Sequence, residues 1–180
     1  MRVITGLAKG MRLNAPKGMN TRPTSEKVKE AVFSIIHFDL PGARVLDLFS
    51  GSGQMGIEAI SRGAKSCVFV DVDKSSVEVI TGNIKTVKFE SFSKVVNADV
   101  HRYISSSSDK YDIVIIDPPY EYENHSILLL DLARLLGDNG IVVYESSKNV
   151  DFEDCIGDLK KQKEYGHGIT KIVVYKKTEK

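Results

Sequence analysis

A glycine-rich segment and a later carboxylate form the first group of residues whose spacing suggests chemistry. In "DLFSGSGQMG", Gly51, Gly53 and Gly56 satisfy the pattern G-x-G-x-x-G, and Asp71 lies 20 residues after Gly51. Glycines let backbone amides approach a ligand closely, and an acid on the following strand can accept hydrogen bonds from ribose hydroxyls. The spacing predicts a site for an adenosine-containing cofactor.

An acid ahead of these glycines bears on which cofactor binds. Asp47 precedes Gly51 by four residues, in the apolar run "RVLDLF". NAD brings a pyrophosphate, which favours the N–H groups of a helix start. S-adenosylmethionine brings a cationic sulfonium with an amino-acid tail, which a carboxylate attracts. Asp47 therefore favours S-adenosylmethionine, and the alternatives are NAD and a tight turn that binds nothing.

A second group of residues follows the apolar run "YDIVII". Residues 117–120, "DPPY", resemble the [D/N]-P-P-[Y/F] motif of methyltransferases that act on exocyclic amino groups of nucleic-acid bases. Hydrogen bonds from such an amine to the Asp117 carboxylate and the Pro118 carbonyl would draw it toward tetrahedral geometry, ready to attack a sulfonium methyl group. The two prolines hold these acceptors in place, and Tyr120 offers a face for stacking an extruded base.

The scaffold must bring these segments together, and the pattern of the chain predicts how. Four β-branched runs without polar alternation are typical of strands buried on both faces: "RVLDLF" (44–49), "SCVFVDV" (66–72), "YDIVIID" (111–117) and "GIVVYES" (140–146), with a weaker "SKVVNAD" (93–99). Helical patterns alternate with them in "GSGQMGIEAISRG", "KSSVEVITGNIKTV" and "NHSILLLDLARLLGDNG". This predicts an α/β, doubly wound, mostly parallel sheet, whose ligands gather at the carboxyl ends of the strands. Asp99 would lie at the same rim, where it could accept a bond from adenine, cap the helix "VHRYIS", or do both.

The two ends of the chain depart from this alternation. The head predicts a hairpin with strands near 2–5 and 10–14, and then a helix in "TSEKVKEAVFSII" capped by Ser25 or Thr24. The tail, "DLKKQKEYGHGITKIVVYKK", predicts an antiparallel hairpin that closes one edge of the sheet.

Length and composition bound the class of protein. A chain of 180 residues suits one domain over 1–180, which we divide into a hairpin and helix extension at 1–40 and a catalytic core at 41–180. The sequence has no apolar run of membrane-spanning length and no signal-peptide core, and its two cysteines lack metal-ligand spacing. We therefore expect a cytoplasmic protein. We also expect a monomer, and one that needs no metal, because the four histidines show no metal spacing and a sulfonium is already activated.

The head of the chain narrows the resemblance to one family. The segment "MRVITGLAKGMRLNAPKGMNTRPTSEKVKEAVFSII" resembles the start of the bacterial RsmD-type 16S ribosomal RNA (guanine-N2)-methyltransferases, with a basic hairpin, R-P-T at 22–24 and then an amphipathic helix. The similarity continues through "VLDLFSGSG", "FVDVD", "DPPY" and "VVYES". It implies a seven-stranded methyltransferase fold and methyl transfer to N2 of one guanine in small-subunit RNA.

The resemblance also implies roles for single residues. It places the methionine part of the cofactor against Asp47 and the loop, the ribose against Asp71 and the adenine against Asp99; the loop residues are Ser50, Gly51, Ser52 and Gly53. Relatives often carry Glu where this chain has Asp71, and the shorter arm can still reach a ribose hydroxyl, for example through water. The RNA-facing residues it implies are Lys9, Arg12, Arg22, Thr24 and Tyr120.

Charge is distributed in a way that suits an RNA partner. Residues 1–38 and residues 159–180 each hold seven Lys and Arg against two acids, whereas the middle of the chain is acidic. Basic ends can grip a polyanion, although scattered surface lysines would give the same counts. A chain this short has little room for a separate recognition domain, so RNA within a partly assembled small subunit is a plausible substrate.

Three alternatives remain open at this stage. A nicotinamide oxidoreductase fits the glycine loop but leaves "DPPY" unexplained. A non-catalytic RNA-binding module fits the basic ends but not the intact acids. Methylation of adenine N6, or of DNA, uses the same tetrapeptide, and the basic head does not exclude it.

Overall fold

The helices of the chain follow the predicted pattern closely. A computed structural model describes residues 1–16 and 25–178, and within these ranges five α-helices form: α1 Glu26–Ile35, α2 Gln54–Ser61, α3 Lys74–Val87, α4 Val100–Ser106 and α5 His125–Leu132. Ser25 caps α1 by accepting a hydrogen bond from Val28 N, as predicted. Asp73 caps α3 by accepting from the backbone N–H groups of Ser75 and Ser76.

One twisted sheet runs through the molecule. Its eight strands, counted over the described ranges, are β1 Arg44–Leu48, β2 Ser66–Asp71, β3 Ser93–Asn97, β4 Tyr111–Ile116, β5 Leu136–Ser147, β6 Cys155–Ile156, β7 Leu159–His167 and β8 Thr170–Lys177. They lie in the order β3-β2-β1-β4-β5-β8-β7-β6. The predicted doubly wound fold is confirmed, but the count of seven strands is wrong by one, because the two-residue β6 extends the edge.

The parallel half of the sheet positions the candidate site. β1 lies between β2 and β4, and all three run parallel, with Asp47 opposite Phe69 on one side and Ile115 on the other. Helices α1, α2 and α3 pack on one face, where Phe33, Ile57 and Ile80 are buried. Helices α4 and α5 cover the other face. The carboxyl ends of β1, β2 and β4 therefore meet at one rim.

The segment after α5 differs from the prediction. The apolar run was expected to continue as helix to Gly140, but α5 ends at Leu132, a short 3₁₀ turn follows, and β5 begins at Leu136. The register against β4 shifts there: Tyr111 pairs with Leu136 and Ile113 with Ile141. Asn139 takes a positive φ of 59° within this bulge. Periodicity of apolar residues does not distinguish a bulged strand from a helix end.

The N-terminal head is fastened to α2 by a buried carboxylate. Arg2 and Arg12 form an isolated bridge, so the strands predicted near 2–5 and 10–14 are reduced to one pair within the described residues. The Glu58 carboxylate accepts hydrogen bonds from the backbone N–H groups of Ile4 and Thr5 at 2.8 and 3.0 Å. The buried Lys29 ammonium lies 3.5 Å from the same carboxylate, so α1, α2 and the head pack together.

The C-terminal hairpin forms as predicted. β7 and β8 pair antiparallel, and β8 also pairs antiparallel with β5. The turn between them reaches the carboxyl end of β5, where Lys148 N donates to Ile169 O. In residues 1–16 and 25–178 no helix is long and apolar enough to cross a membrane.

Candidate active site

The glycine loop leaves β1 through a run of unusual backbone conformations. Phe49, Gly51 and Gly53 have φ of 58°, 56° and 75°, in the left-handed region that favours glycine. Ser50 fixes the turn, because its hydroxyl donates to Asp47 O at 2.7 Å and accepts from Val70 N at 3.0 Å. The loop is therefore held in one conformation at the rim.

The third glycine of the motif has a packing role. A Cβ atom on Gly56 would lie 2.3 Å from Phe69 Cε1 and 2.6 Å from Cys67 Sγ, closer than real atoms approach. Glycine at this position lets α2 lie directly on β2, so the start of the helix is set by contact with the sheet.

Asp47 is buried beneath the loop. Only 2% of the residue is exposed, and its Oδ2 accepts a hydrogen bond from Gly56 N at 2.9 Å. Burial raises the pKa of Asp47 well above its usual value, and the Asp117 and Asp71 carboxylates raise it further. The carboxyl therefore lies in an acidic, poorly solvated setting that a cationic ligand would relieve.

Asp71 closes the loop from the end of β2. Its Oδ2 accepts from Gly51 N at 2.8 Å, and its Oδ1 accepts from Asp73 N at 2.9 Å. A carboxylate oxygen accepts more than one hydrogen bond, so a ribose hydroxyl can be added to this arrangement.

Asp99 caps the helix that follows β3. Its Oδ1 accepts from Arg102 N at 3.1 Å, as predicted for the start of α4. The side chain lies near Tyr122, whose pKa is raised to about 12 mainly by burial and then by the Asp99 charge. The cap is thus confirmed, and the contact with adenine stays a prediction.

The DPPY segment leaves β4 at the same rim. Asp117 directly follows Ile116, the last residue of the strand, and Pro119 O accepts from Tyr122 N at 3.0 Å to form the turn. Asp117 and Pro118 are half-buried, whereas the Tyr120 side chain is 51% exposed. The Asp117 charge raises the pKa of Asp47 on β1, the strand that pairs with β4.

An aromatic cluster behind this turn was not assigned from the sequence. Tyr122 Oη lies 2.8 Å from His101 Nε2, and the Tyr122 ring meets the Phe49 ring edge-on at 5.3 Å. His125 Nδ1 lies 2.7 Å from Tyr144 Oη, and burial lowers the pKa of His125. These contacts brace the segment that carries Asp117 against α4 and β5. The aromatic and histidine side chains in "EYENHS" were the sequence signal for this cluster, but their spacing did not indicate which residues they contact.

The candidate RNA-facing residues of the head are only partly described. Lys9 and Arg12 are exposed on the hairpin, whereas Arg22 and Thr24 lie outside the described residues. The Asn83 side chain donates to Asn14 O at 3.0 Å and to Ser52 O at 2.8 Å. The head is therefore held beside the glycine loop.

Glu145, near the end of β5, was also not identified by the sequence motifs. It is 9% exposed, and its Oε2 is buried with no hydrogen-bond partner among residues 1–16 and 25–178. Burial raises the pKa of Glu145 to about 8, and the nearby Asp117 carboxylate contributes. An acid inside the apolar run "GIVVYES" was the sequence signal for it.

Comparison with known proteins assigns the family. The family described as "Conserved hypothetical protein 95" matches residues 1–176. "Ribosomal RNA small subunit methyltransferase D" of Escherichia coli is 31% identical over 85% of this chain and 75% of its own length. The chain belongs to the RsmD-type methyltransferase family. The resemblance drawn from the head and the two motifs is confirmed.

Two further proteins resemble the chain over nearly all of its length. The Bacillus subtilis protein named "Putative rRNA methyltransferase YlbH" is 37% identical over 98% of this chain and 99% of its own length. A solved structure titled "Putative methyltransferase yhhF from Escherichia coli" superimposes with a TM-score of 0.87 at 25% identity, covering 100% of this chain and 99% of the other.

Proposed function

We propose that the protein transfers a methyl group from S-adenosylmethionine to the exocyclic N2 amine of a guanine in small-subunit ribosomal RNA. The observation that carries this proposal is the meeting of the DPPY turn with the glycine loop at one rim, in a chain of the RsmD-type family. The function of a nicotinamide oxidoreductase would not explain why the DPPY turn lies beside the glycine loop. Among residues 1–16 and 25–178, no side chain at the rim favours adenine over guanine.

The donor site that we propose is built from the loop and its flanking acids. The backbone of Ser50, Gly51, Ser52 and Gly53 lies against the amino-acid end of the donor, Asp71 accepts from its ribose and Asp99 from its adenine. Asp47, Asp71 and Asp117 make the pocket acidic, which attracts a sulfonium and repels a pyrophosphate. The residues present therefore fit S-adenosylmethionine better than NAD.

Asp117 and Pro118 act on the base amine. The donor supplies an electrophilic methyl group, so the protein needs only to orient the nucleophile and remove a proton. One amine hydrogen is donated to the Asp117 carboxylate and the other to Pro118 O, which frees the nitrogen lone pair from the ring. As the new N–C bond forms, the old S–C bond breaks toward sulfur, and Asp117 takes the proton released by the amine.

Tyr120 and the basic head engage the RNA. The target base must leave its stack to reach the rim, and the exposed Tyr120 ring provides a surface on which it can stack. Lys9 and Arg12, with Arg22 and Thr24 from outside the described residues, contact phosphates and sugars, which position the RNA without reading its sequence. The protein works as a monomeric single domain on RNA within a partly assembled subunit.

The experiment that tests this function is transfer of a labelled methyl group. Purified protein is incubated with labelled S-adenosylmethionine and undermethylated small-subunit RNA, both naked and in partly assembled particles. We expect incorporation that depends on RNA and is greater on particles. Tight binding of NADH with no binding of S-adenosylmethionine, measured by calorimetry, would reject the donor assignment.

A further inference from the structure

Glu145 is a buried acid for which the proposed function has so far no use. Its Oε2 has no hydrogen-bond partner among the residues that the structure describes, and the residue is nine-tenths buried. Burying a carboxylate without a hydrogen-bond partner costs free energy. Such a group is therefore expected to carry a proton and to donate a hydrogen bond to a nearby acceptor.

The strand register places that acceptor beside it. Ile116 of β4 pairs with Tyr144 of β5, so the next residues along the two strands are Asp117 and Glu145. Both side chains emerge on the sheet face of α1–α3, because Ile115 and Val143, two residues earlier, are buried in that core. Neighbouring strands lie about 4.8 Å apart, a spacing at which two carboxyl groups can share one proton.

We propose that Glu145 is a positioning residue that, as a neutral acid, turns its Oε2 hydroxyl to donate a hydrogen bond to the Asp117 carboxylate, and so aims that carboxylate at the base amine. This inference rests on the proposed function, in which Asp117 accepts from that amine. With one Asp117 oxygen held from behind by Glu145, the carboxylate keeps a fixed orientation toward the substrate. The pair thus carries one proton before reaction and gains a second when Asp117 deprotonates the methylated amine.

The charged groups around Glu145 set the pH range in which this arrangement holds. Asp117, directly after β4, is an acid and opposes the ionisation of Glu145. Asp47 on β1 is a further buried acid at the same rim. On β8 the residue paired with Glu145 is the apolar Ile172. Lys171, the residue before it, lies on the opposite sheet face, over the Phe152 ring and paired with Glu164.

Helices α1 and α2 bring three buried or half-buried charges to the same sheet face, and these pair with one another: Lys29, Glu58 and Arg62. Burial and the Asp117 charge raise the pKa of Glu145 to about 8, so the protonated form predominates at neutral pH. Because a bound sulfonium favours the ionised form, it moves the loss of that proton to lower pH.

The test compares two substitutions of Glu145 that differ in hydrogen bonding. The amide of Glu145→Gln can donate to Asp117 but cannot titrate, whereas Glu145→Leu can do neither. The methyl-transfer rate is measured from pH 6 to pH 9.5 with donor and RNA saturating. Glu90→Gln, an exposed glutamate at the other end of the sheet, is the matched control.

We expect wild-type turnover to fall with a midpoint at or below about pH 8, and Glu145→Gln to stay within about twofold of its pH 7 rate. Glu145→Leu should lose at least tenfold in kcat with the KM for the donor nearly unchanged. The Glu90→Gln control should follow the wild-type profile. The same alkaline decline in Glu145→Gln as in the wild type would overturn the proposal, as would equal losses in the Gln and Leu variants.

A measurement that needs no turnover separates this inference from the proposed function. In protein carrying ¹³C at the glutamate carboxyl carbons, the signal missing from Glu145→Gln identifies Glu145. Its titration midpoint should lie near 8 and fall in Asp117→Asn, which removes the neighbouring charge. Such a result with no methyl transfer to RNA would reject the function and keep the carboxyl pair. A midpoint near 4.5, or one unmoved in Asp117→Asn, would reject the pair.

Discussion

Replacing Gly56 by alanine isolates the contact that sets the start of α2. The added methyl group would lie 2.3 Å from a ring carbon of Phe69 and 2.6 Å from Cys67 Sγ, and both residues are buried. Overpacking of this kind costs about 1–3 kcal/mol. A clash as close as 2.3 Å belongs at the upper end of that range. Because alanine is the better helix former by about 1 kcal/mol, we expect a net loss of about 2 kcal/mol in the free energy of unfolding.

Gly82 provides the matched control for this substitution. It lies within α3, is exposed, and a Cβ atom there would meet nothing within 4 Å. Gly82→Ala should therefore raise the free energy of unfolding by about 0.5–1 kcal/mol through helix propensity alone. The same change of residue, in two helices of one protein, should thus have opposite signs.

Urea denaturation of the two variants and the wild type measures both effects. Calorimetry on Gly56→Ala should also show weaker binding of S-adenosylmethionine, because a displaced α2 disturbs the hydrogen bond from Gly56 N to Asp47. Wild-type stability in Gly56→Ala, or a loss in Gly82→Ala equal to that in Gly56→Ala, would refute the packing argument.

Three further substitutions test other parts of the molecule. Asp117→Ala should lower kcat by roughly 10²–10⁴-fold, since it removes the acceptor for the amine, while the donor affinity measured by calorimetry stays nearly intact. Replacing Lys9 and Arg12 together by glutamine should weaken RNA binding and reduce the slope of log affinity against log salt by about 1.5. Lys29→Met should lower the free energy of unfolding in urea by about 1–3 kcal/mol, because Glu58 and Arg2 O lose their buried lysine partner while Arg62 still pairs with Glu58.

Each of these has a result that contradicts it. Near-wild-type turnover in Asp117→Ala removes that residue from the chemistry. An unchanged salt slope in the double variant places the RNA surface elsewhere. Unchanged stability in Lys29→Met would mean that the Lys29–Glu58 pair does not fasten the head, and Lys29→Met combined with Glu58→Gln should otherwise recover part of the loss.

The parallel half of the fold could be predicted because its sequence signals are local. The pattern "KSSVEVITGNIKTV" gave the bounds of α3 as the structure has them, and the β-branched runs marked the buried strands. β5 was placed four residues too late because its first part is a bulge, in which Gly140 and the positive φ of Asn139 interrupt the strand pattern. A bulge is decided by pairing with β4, which the isolated segment does not reveal.

The residues of the candidate site also divide into those that local sequence signals revealed and those that they did not. The acids at strand ends were found from their positions after apolar runs, because parallel strands end at one rim. The missed features include the buried Oε2 of Glu145, which has no hydrogen-bond partner among residues 1–16 and 25–178, and the fastening of the head by Glu58. The environment of each glutamate is formed by residues that are distant in the chain. In the sequence alone, each looks like an ordinary charged residue of a strand or a helix.

The central claim is that this chain methylates a guanine at N2, and the identity of the product nucleoside tests it most directly. Small-subunit RNA methylated by the wild-type protein is digested to nucleosides and compared with standards by chromatography and mass spectrometry. The account predicts one methyl group per RNA, in N2-methylguanosine, and none with Asp117→Ala. A label found in N6-methyladenosine, or in guanosine methylated on a ring nitrogen, would contradict it.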